Sequence, residues 1–168
     1  ELQPEAAPRT GGAVVLEATD EPVGLLTSEL GMDGTVHDIL HTPRSGSAGA
    51  LTPATPEESG IRMNGPEVFR RAVVTMGEAA ARTVEQAGLS VDDVDLFIPH
   101  QANTRIIDAA GQRLGLSDSK VFVNIASYGN TSAATIPVAL AEALEQGQIQ
   151  PGSNVVFAAF GAGLSWAA

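Results

Sequence analysis

One pattern, repeated along the chain from Pro66 to Phe160, constrains its fold more than any other feature: an amphipathic run, then a short apolar run. Pro66 opens the longest amphipathic run, since proline suits the first helical position where its missing N–H would be unpaired anyway. Val68, Phe69, Ala72, Val73, Met76, Ala79, Ala80, Val84 and Ala87 then recur at the 3.6-residue helical period, and Gly88 ends the run. Arg70, Arg71, Glu78, Arg82 and Glu85 take the opposite side. Leu96-Phe97-Ile98 reads as a short buried strand ending at Pro99. A second helix is expected from about Asn103 to Leu114, stopped by Gly115, and a strand at Val121–Ile125 follows. A third helix runs to about Gln146, stopped by Gly147, before a last strand at Asn154–Phe160. Strands alternating with helices of this length specify an α/β fold with a largely parallel sheet. Right-handed connections place the helices over its faces.

The first third of the chain is less regular. Residues 1–12 read as a tail or linker, with two prolines and no periodicity. Ala13–Ala18 (Ala-Val-Val-Leu-Glu-Ala) reads as an apolar strand, and Gly24–Leu30 as a second one after a turn at Glu21-Pro22. Residues 31–60, rich in Gly, Pro, Ser and Thr, form a loop region of a length usually reserved for function. The chain has 168 residues, so 13–168 is expected to be one domain able to bury roughly 70% of its unfolded surface.

Acidic residues outnumber basic ones by 20 to 9, for a net charge of −11. Nucleic acid would have to bind against that field and is excluded as a partner. An acidic partner would need a local basic patch. The chain has no cysteine, which removes disulfides, thiolate zinc sites and a cysteine nucleophile of its own; no metal site is read from the sequence. No apolar run reaches the 18 or so residues of a membrane span, and no leader is read at the N-terminus, so a cytoplasmic location without membrane contact is expected.

Three unusual segments each follow an expected strand: Pro99-His100-Gln101, Ser127-Tyr128-Gly129-Asn130 and Phe160-Gly161-Ala162-Gly163. Ligands of open α/β sheets bind at the carboxyl ends of strands, so the three should converge on one edge. Each also has a plain reading, with His100 a hydrogen-bonded loop residue, Asn130 a turn residue and Phe160 part of the core. His37 and His41, in the long loop, are read as structural.

Together, Pro99-His100-Gln101-Ala102-Asn103, Gly129-Asn130-Thr131-Ser132-Ala133 and Ala159-Phe160-Gly161-Ala162-Gly163 resemble the signature segments of ketoacyl-acyl-carrier-protein synthase III. They stand in that family's order and at its spacing, His100, Asn130 and Phe160 being thirty residues apart. Met63-Asn64-Gly65, followed by Glu67-Val68-Phe69, resembles its segment entering the long helix. The likeness runs from about Gly11 to the end. It implies one half, the second, of the two-half thiolase-like fold, the first half carrying a cysteine that takes an acyl group from coenzyme A. Malonyl-acyl-carrier protein then loses carbon dioxide, and the carbanion attacks the acyl-cysteine. The family's usual Phe-Gly-Asp-Gly-Ala-Gly is replaced here by Pro8-Arg9-Thr10-Gly11-Gly12, and the chain stops inside the expected final strand, which suits a piece of a longer protein.

On this resemblance His100 Nε2–H and the Asn130 side-chain amide are the two donors for the enolate oxygen. Asparagine offers a donor that cannot ionise, and histidine one whose tautomer a neighbour can fix. The Ala162 N–H completes a second oxyanion hole, reached through the Gly161-Ala162-Gly163 turn, and Phe160 walls the site. Gly65, Phe69, Ala102, Asn103 and Ile106 match positions lining a pantetheine channel; Pro66 stands where the family often has a polar residue. Arg105 and Arg70 match the basic surface on which acyl-carrier protein docks, with Arg71 and Arg113 as candidate extensions. No cofactor is implied, coenzyme A and phosphopantetheine thioesters being substrates. A domain missing its pseudo-symmetric mate is expected to pair with that N-terminal half or with a second copy as a homodimer. Other readings are a non-catalytic carrier-protein or pantetheine module, a structural half, and a starter synthase for polyketides or quinolones.

Overall fold

The computed structural model describes residues 11–21, 23–43, 55 and 60–168. Most of the expected tail, much of the 31–60 loop and Pro22 of the expected turn lie outside the described residues. A four-stranded mixed sheet has the order β1-β6-β5-β4, formed by β1 (Leu30–Met32), β4 (Leu96–Pro99), β5 (Val155–Gly161) and β6 (Ser165–Ala167). β4 and β5 run parallel, Leu96 opposite Val155 through Pro99 opposite Ala158. β6 is antiparallel to β5 and to β1, with Phe160 and Gly31 both opposite Trp166. β2 (Leu40–His41) and β3 (Arg62–Met63) form a separate antiparallel pair.

Among the described residues, four α-helical segments accompany the strands: α1 (Gly65–Gln86), α2 (Thr104–Leu114), the single turn α3 (Ile125–Tyr128) and α4 (Thr135–Glu145). α1 starts one residue before Pro66, and the Asn64 side chain caps it by accepting from the Glu67 N–H at 3.4 Å. The Asn103 side chain caps α2, accepting from the Arg105 N–H at 2.9 Å, and Gly115 closes it in the left-handed conformation.

β4 is buried on both faces, and its alternation divides two cores. Phe97 packs with Ala72, Met76, Ala80 and Val84 of α1 and Ile106, Ala110 and Leu114 of α2. Leu96 and Ile98 turn the other way, onto Ala139 and Ala143 of α4 with Phe122. Phe97, Ile98 and Ile107 have no exposed surface, each burial contributing about 1.5–3 kcal/mol.

Three strand expectations are corrected. Ala13–Ala18 forms no strand; Val15 and Leu16 are 93% and 86% exposed. Apolar composition makes no strand without a partner's ladder, and none of the described residues pairs with this segment. The expected Gly24–Leu30 strand begins only at Leu30, because its partner β6 spans three residues. Val121–Ile125 reduces to one parallel bridge, Val121 to Phe97, and one bond from the Phe122 N–H to the Phe97 carbonyl at 2.9 Å. Beyond it the buried Gln101 side chain replaces the ladder. Its Nε2 donates to the Pro99 and Phe122 carbonyls at 2.9 and 3.1 Å, and its Oε1 accepts from the Asn124 N–H at 3.0 Å.

Candidate active site

Because β4 and β5 are parallel neighbours, their carboxyl ends open on one edge. His100 follows β4, its N–H donating to the Ala158 carbonyl of β5 at 2.7 Å. Phe160 lies at the end of β5, and Gly161 and Ala162 lead into the turn to β6, where Gly163 takes φ +130°, a conformation glycine alone adopts easily. Asn130 arrives just past α3, in a segment tied to β4 by the Gln101 clamp.

Among the described residues, two cavities open on this edge. One, of about 420 Å³, is lined by Leu40, His41, Thr42, Ile61, Ser132, Ala133, Ala159, Gly161 and Ala162; the other, about 840 Å³, by Met63, Gly65, Pro66, Phe69, Ala102, Asn103, Arg105 and Ile106 among others. His100, Asn130 and Phe160 line both. The three segments expected to converge do so, and the expected channel residues Gly65, Phe69, Ala102, Asn103 and Ile106 all border the larger space. Phe160 does two things at once, since it also packs on the core cluster of α1 and α2.

Both polar residues are held from behind. Asn130 Oδ1 accepts from the Ser132 N–H at 3.0 Å, which leaves its NH₂ as the group able to donate to a ligand. Ser132 itself sits at φ 55°, a left-handed conformation costing a non-glycine residue of order 1–3 kcal/mol. His100 Nδ1 lies 2.6 Å from the Thr135 Oγ1, and burial pushes the His100 pKa below its ordinary value, favouring the neutral ring. Neutral imidazole and fixed carboxamide can stabilise an oxygen as it becomes anionic, without either losing a proton.

The two expected docking cations differ. Arg105 stacks over the Phe69 ring at 5.2 Å, at the wall of the larger cavity. Arg70 borders neither cavity and is engaged by Glu67 through two bonds, 3.0 and 2.7 Å. Glu67 also takes Arg71 at 2.6 Å, and the Arg70 and Arg71 guanidiniums hold its carboxyl down to about 2. Arg113 pairs with Glu78 at 2.7 Å.

Two residues at the site escaped sequence reasoning. His41 stands in the wall of the smaller cavity, its Nδ1 2.8 Å from the Asp38 carbonyl. Only the pairing of β2 with β3, across some twenty residues, brings it there. Thr135 looked like an ordinary helix position; its contact with His100 spans 35 residues.

The layered half-sheet with its paired donors defines one half of a thiolase-like protein. Residues 84–168 match the family described as 3-Oxoacyl-[acyl-carrier-protein (ACP)] synthase III C terminal, and the chain belongs to it. It is 52% identical over 162 residues to the beta-ketoacyl-[acyl-carrier-protein] synthase III of Symbiobacterium thermophilum, covering 94% of this chain and 48% of that one. Among solved structures, 3-oxoacyl-[acyl-carrier-protein] synthase III from Aquifex aeolicus superposes with a TM-score of 0.77 at 38% identity, over 89% of this chain and 44% of that one. The priming beta-ketosynthase of the R1128 polyketide pathway gives 0.71 at 38% identity, over 83% and 42%. The chain thus spans about half the length of the proteins it matches.

Proposed function

We propose that this chain is the decarboxylating half of a ketoacyl synthase III that starts fatty-acid chains from a short acyl-coenzyme A and malonyl-acyl-carrier protein. The malonyl thioester loses carbon dioxide, and the electron pair of the broken C–C bond passes into the thioester as an enolate. Its oxygen takes the negative charge between His100 Nε2–H and the Asn130 amide. The enolate carbon then attacks the acyl thioester on a cysteine of the N-terminal half; the thiolate leaves and a β-ketoacyl carrier protein results. Each donor is worth about 2.7–4 kcal/mol in reactions of this kind. The carrying observation is that Asn130 and His100 share two cavities while their second polar atoms are engaged elsewhere.

Phe160 gives the malonyl carboxylate an apolar wall, which favours loss of the charged group, and the Ala162 N–H serves the acyl carbonyl. The larger cavity takes the pantetheine arm, between Gly65, Phe69 and Ile106. Arg105 at its wall meets the acidic carrier protein, with Arg70 behind it once Glu67 releases it; such charges mainly raise the on-rate. The same donors would serve a polyketide starter synthase, since the R1128 priming enzyme is as similar to this chain, at 38% identity, as the Aquifex synthase. We further propose that the working enzyme is a cytoplasmic homodimer and needs no cofactor.

The test uses the full-length protein containing this half and its N-terminal half. His100→Ala is expected to lower malonyl-carrier decarboxylation roughly 100- to 1000-fold while acyl loading from coenzyme A changes little. Equal losses in both steps would overturn the oxyanion role, and carrier binding without turnover in the unaltered protein would make this half a binding module.

A further inference from the structure

Thr135 opens α4 and is 3% exposed, with its hydroxyl oxygen 2.6 Å from His100 Nδ1. Two proton arrangements fit that distance. Either the hydroxyl donates to Nδ1 and the neutral ring carries its proton on Nε2, or Nδ1–H donates to the hydroxyl and Nε2 is bare. The second arrangement leaves the Thr135 hydroxyl proton in need of another acceptor. Among the described residues it has none; the imidazole is its one partner. Thr83, the other buried threonine that bonds through its hydroxyl, shows the usual alternative, donating to the carbonyl four residues back, Ala79, at 2.8 Å. For Thr135 that carbonyl belongs to Thr131, where the chain is a 3-10 turn and the oxygen accepts from the Ala134 N–H at 3.2 Å. A buried hydroxyl proton without an acceptor is left desolvated and unpaired, which is unfavourable, so the first arrangement wins.

We infer that Thr135 is a positioning residue that fixes the His100 tautomer, donating to Nδ1 and so holding the ring proton on Nε2, the nitrogen left to face the cavity. Burial already favours the neutral ring, and for a neutral ring the choice of tautomer decides whether Nε2 is a donor or an acceptor. With the proton on Nδ1, the nitrogen facing a developing enolate would offer a lone pair to an anion. The catalytic consequence rests on the oxyanion reading above; the tautomer assignment does not.

The experiment records long-range proton–nitrogen NMR correlations of the histidine rings in the full-length protein, with the His100 signals assigned by their loss in His100→Ala. The wild type is expected to show a single Nε2–H tautomer, and Thr135→Ser to keep it. Thr135→Val, which preserves shape but not the hydroxyl, should show mixed tautomers and lose roughly fivefold to tenfold in malonyl decarboxylation, the worth of one neutral hydrogen bond. A wild-type ring protonated on Nδ1 overturns the assignment, whether or not the valine variant folds. So does a valine variant with an unchanged spectrum. If valine mixes the tautomers while decarboxylation holds, Thr135 keeps its role and the oxyanion reading falls instead.

Discussion

Glu67 engages two arginines at once, and this decides what Arg70 is free to do. The carboxylate sits 2.7 Å from Arg70 and 2.6 Å from Arg71, and Asp33 takes Arg71 at 3.4 Å. With its pKa lowered from 4.5 to about 2 by Arg70 first and Arg71 second, Glu67 binds fewer protons folded than unfolded across that interval. The stabilisation is therefore complete above pH 4.5 and lost as pH falls through about 2. Melting curves of the protein and its Glu67→Gln variant should differ at neutral pH, the variant melting lower, and converge near pH 2. A constant gap at every pH would show that the carboxylate's charge is not what matters. Sequence spacing could place Glu67 within reach of Arg70 and Arg71, three and four residues on. It could not say that Asp33, 38 residues away in the chain, would share Arg71 with that acid. The shared placement of His100 and Phe160 was legible for a different reason: both sit at the ends of parallel strands, and strand ends in such a sheet share an edge, whereas Asn130 reaches that edge from a helical turn where a strand was expected.

Gln101 works as a rung of the sheet made from a side chain. It is 1% exposed and satisfies two carbonyls and one N–H where the expected strand at Val121–Ile125 would have continued its ladder. The same clamp steers the chain into α3 and on to Asn130. Gln101→Leu keeps the volume but strands a buried N–H and two carbonyls, so it should destabilise the full-length protein by at least about 2 kcal/mol in urea unfolding. A variant as stable as the wild type would mean that water replaces the clamp. At this scale the helices were readable because their evidence is local: a 3.6-residue period, Pro66 near one start, Asn103 as a cap, Gly88 and Gly115 as stops. The short strands were not. Ala13–Ala18 has strand composition but no partner in the described residues, and Val121–Ile125 yields its ladder to an amide twenty residues earlier in the chain. Strand pairing is a property of two segments, and composition describes only one.

Across the molecule, large apolar side chains gather away from the core in the segments before α1. Leu16, Leu25, Leu30, Met32 and Ile61 are each at least 72% exposed, and Leu30 and Met32 lie two apart on β1, an edge strand paired on one side only among the described residues. Soluble domains rarely leave such surface in water, and an open edge strand invites a partner. Covering these five side chains at about 1.5–3 kcal/mol each would supply on the order of 7–15 kcal/mol before the entropy of association. The opposing term is charge: two copies each carrying −11 repel, and salt screens that repulsion over about 10 Å at 0.1 M. Expressed alone, the 168-residue chain should therefore run larger than its 17.2 kDa mass in size-exclusion chromatography with light scattering, and more so as salt rises. Adding the N-terminal half as a separate chain should replace self-association with a one-to-one complex, because that partner covers the surface without meeting a second copy of the same charge. A 17.2 kDa species at every salt concentration, indifferent to the added half, would show that the apolar segments fold back on their own domain.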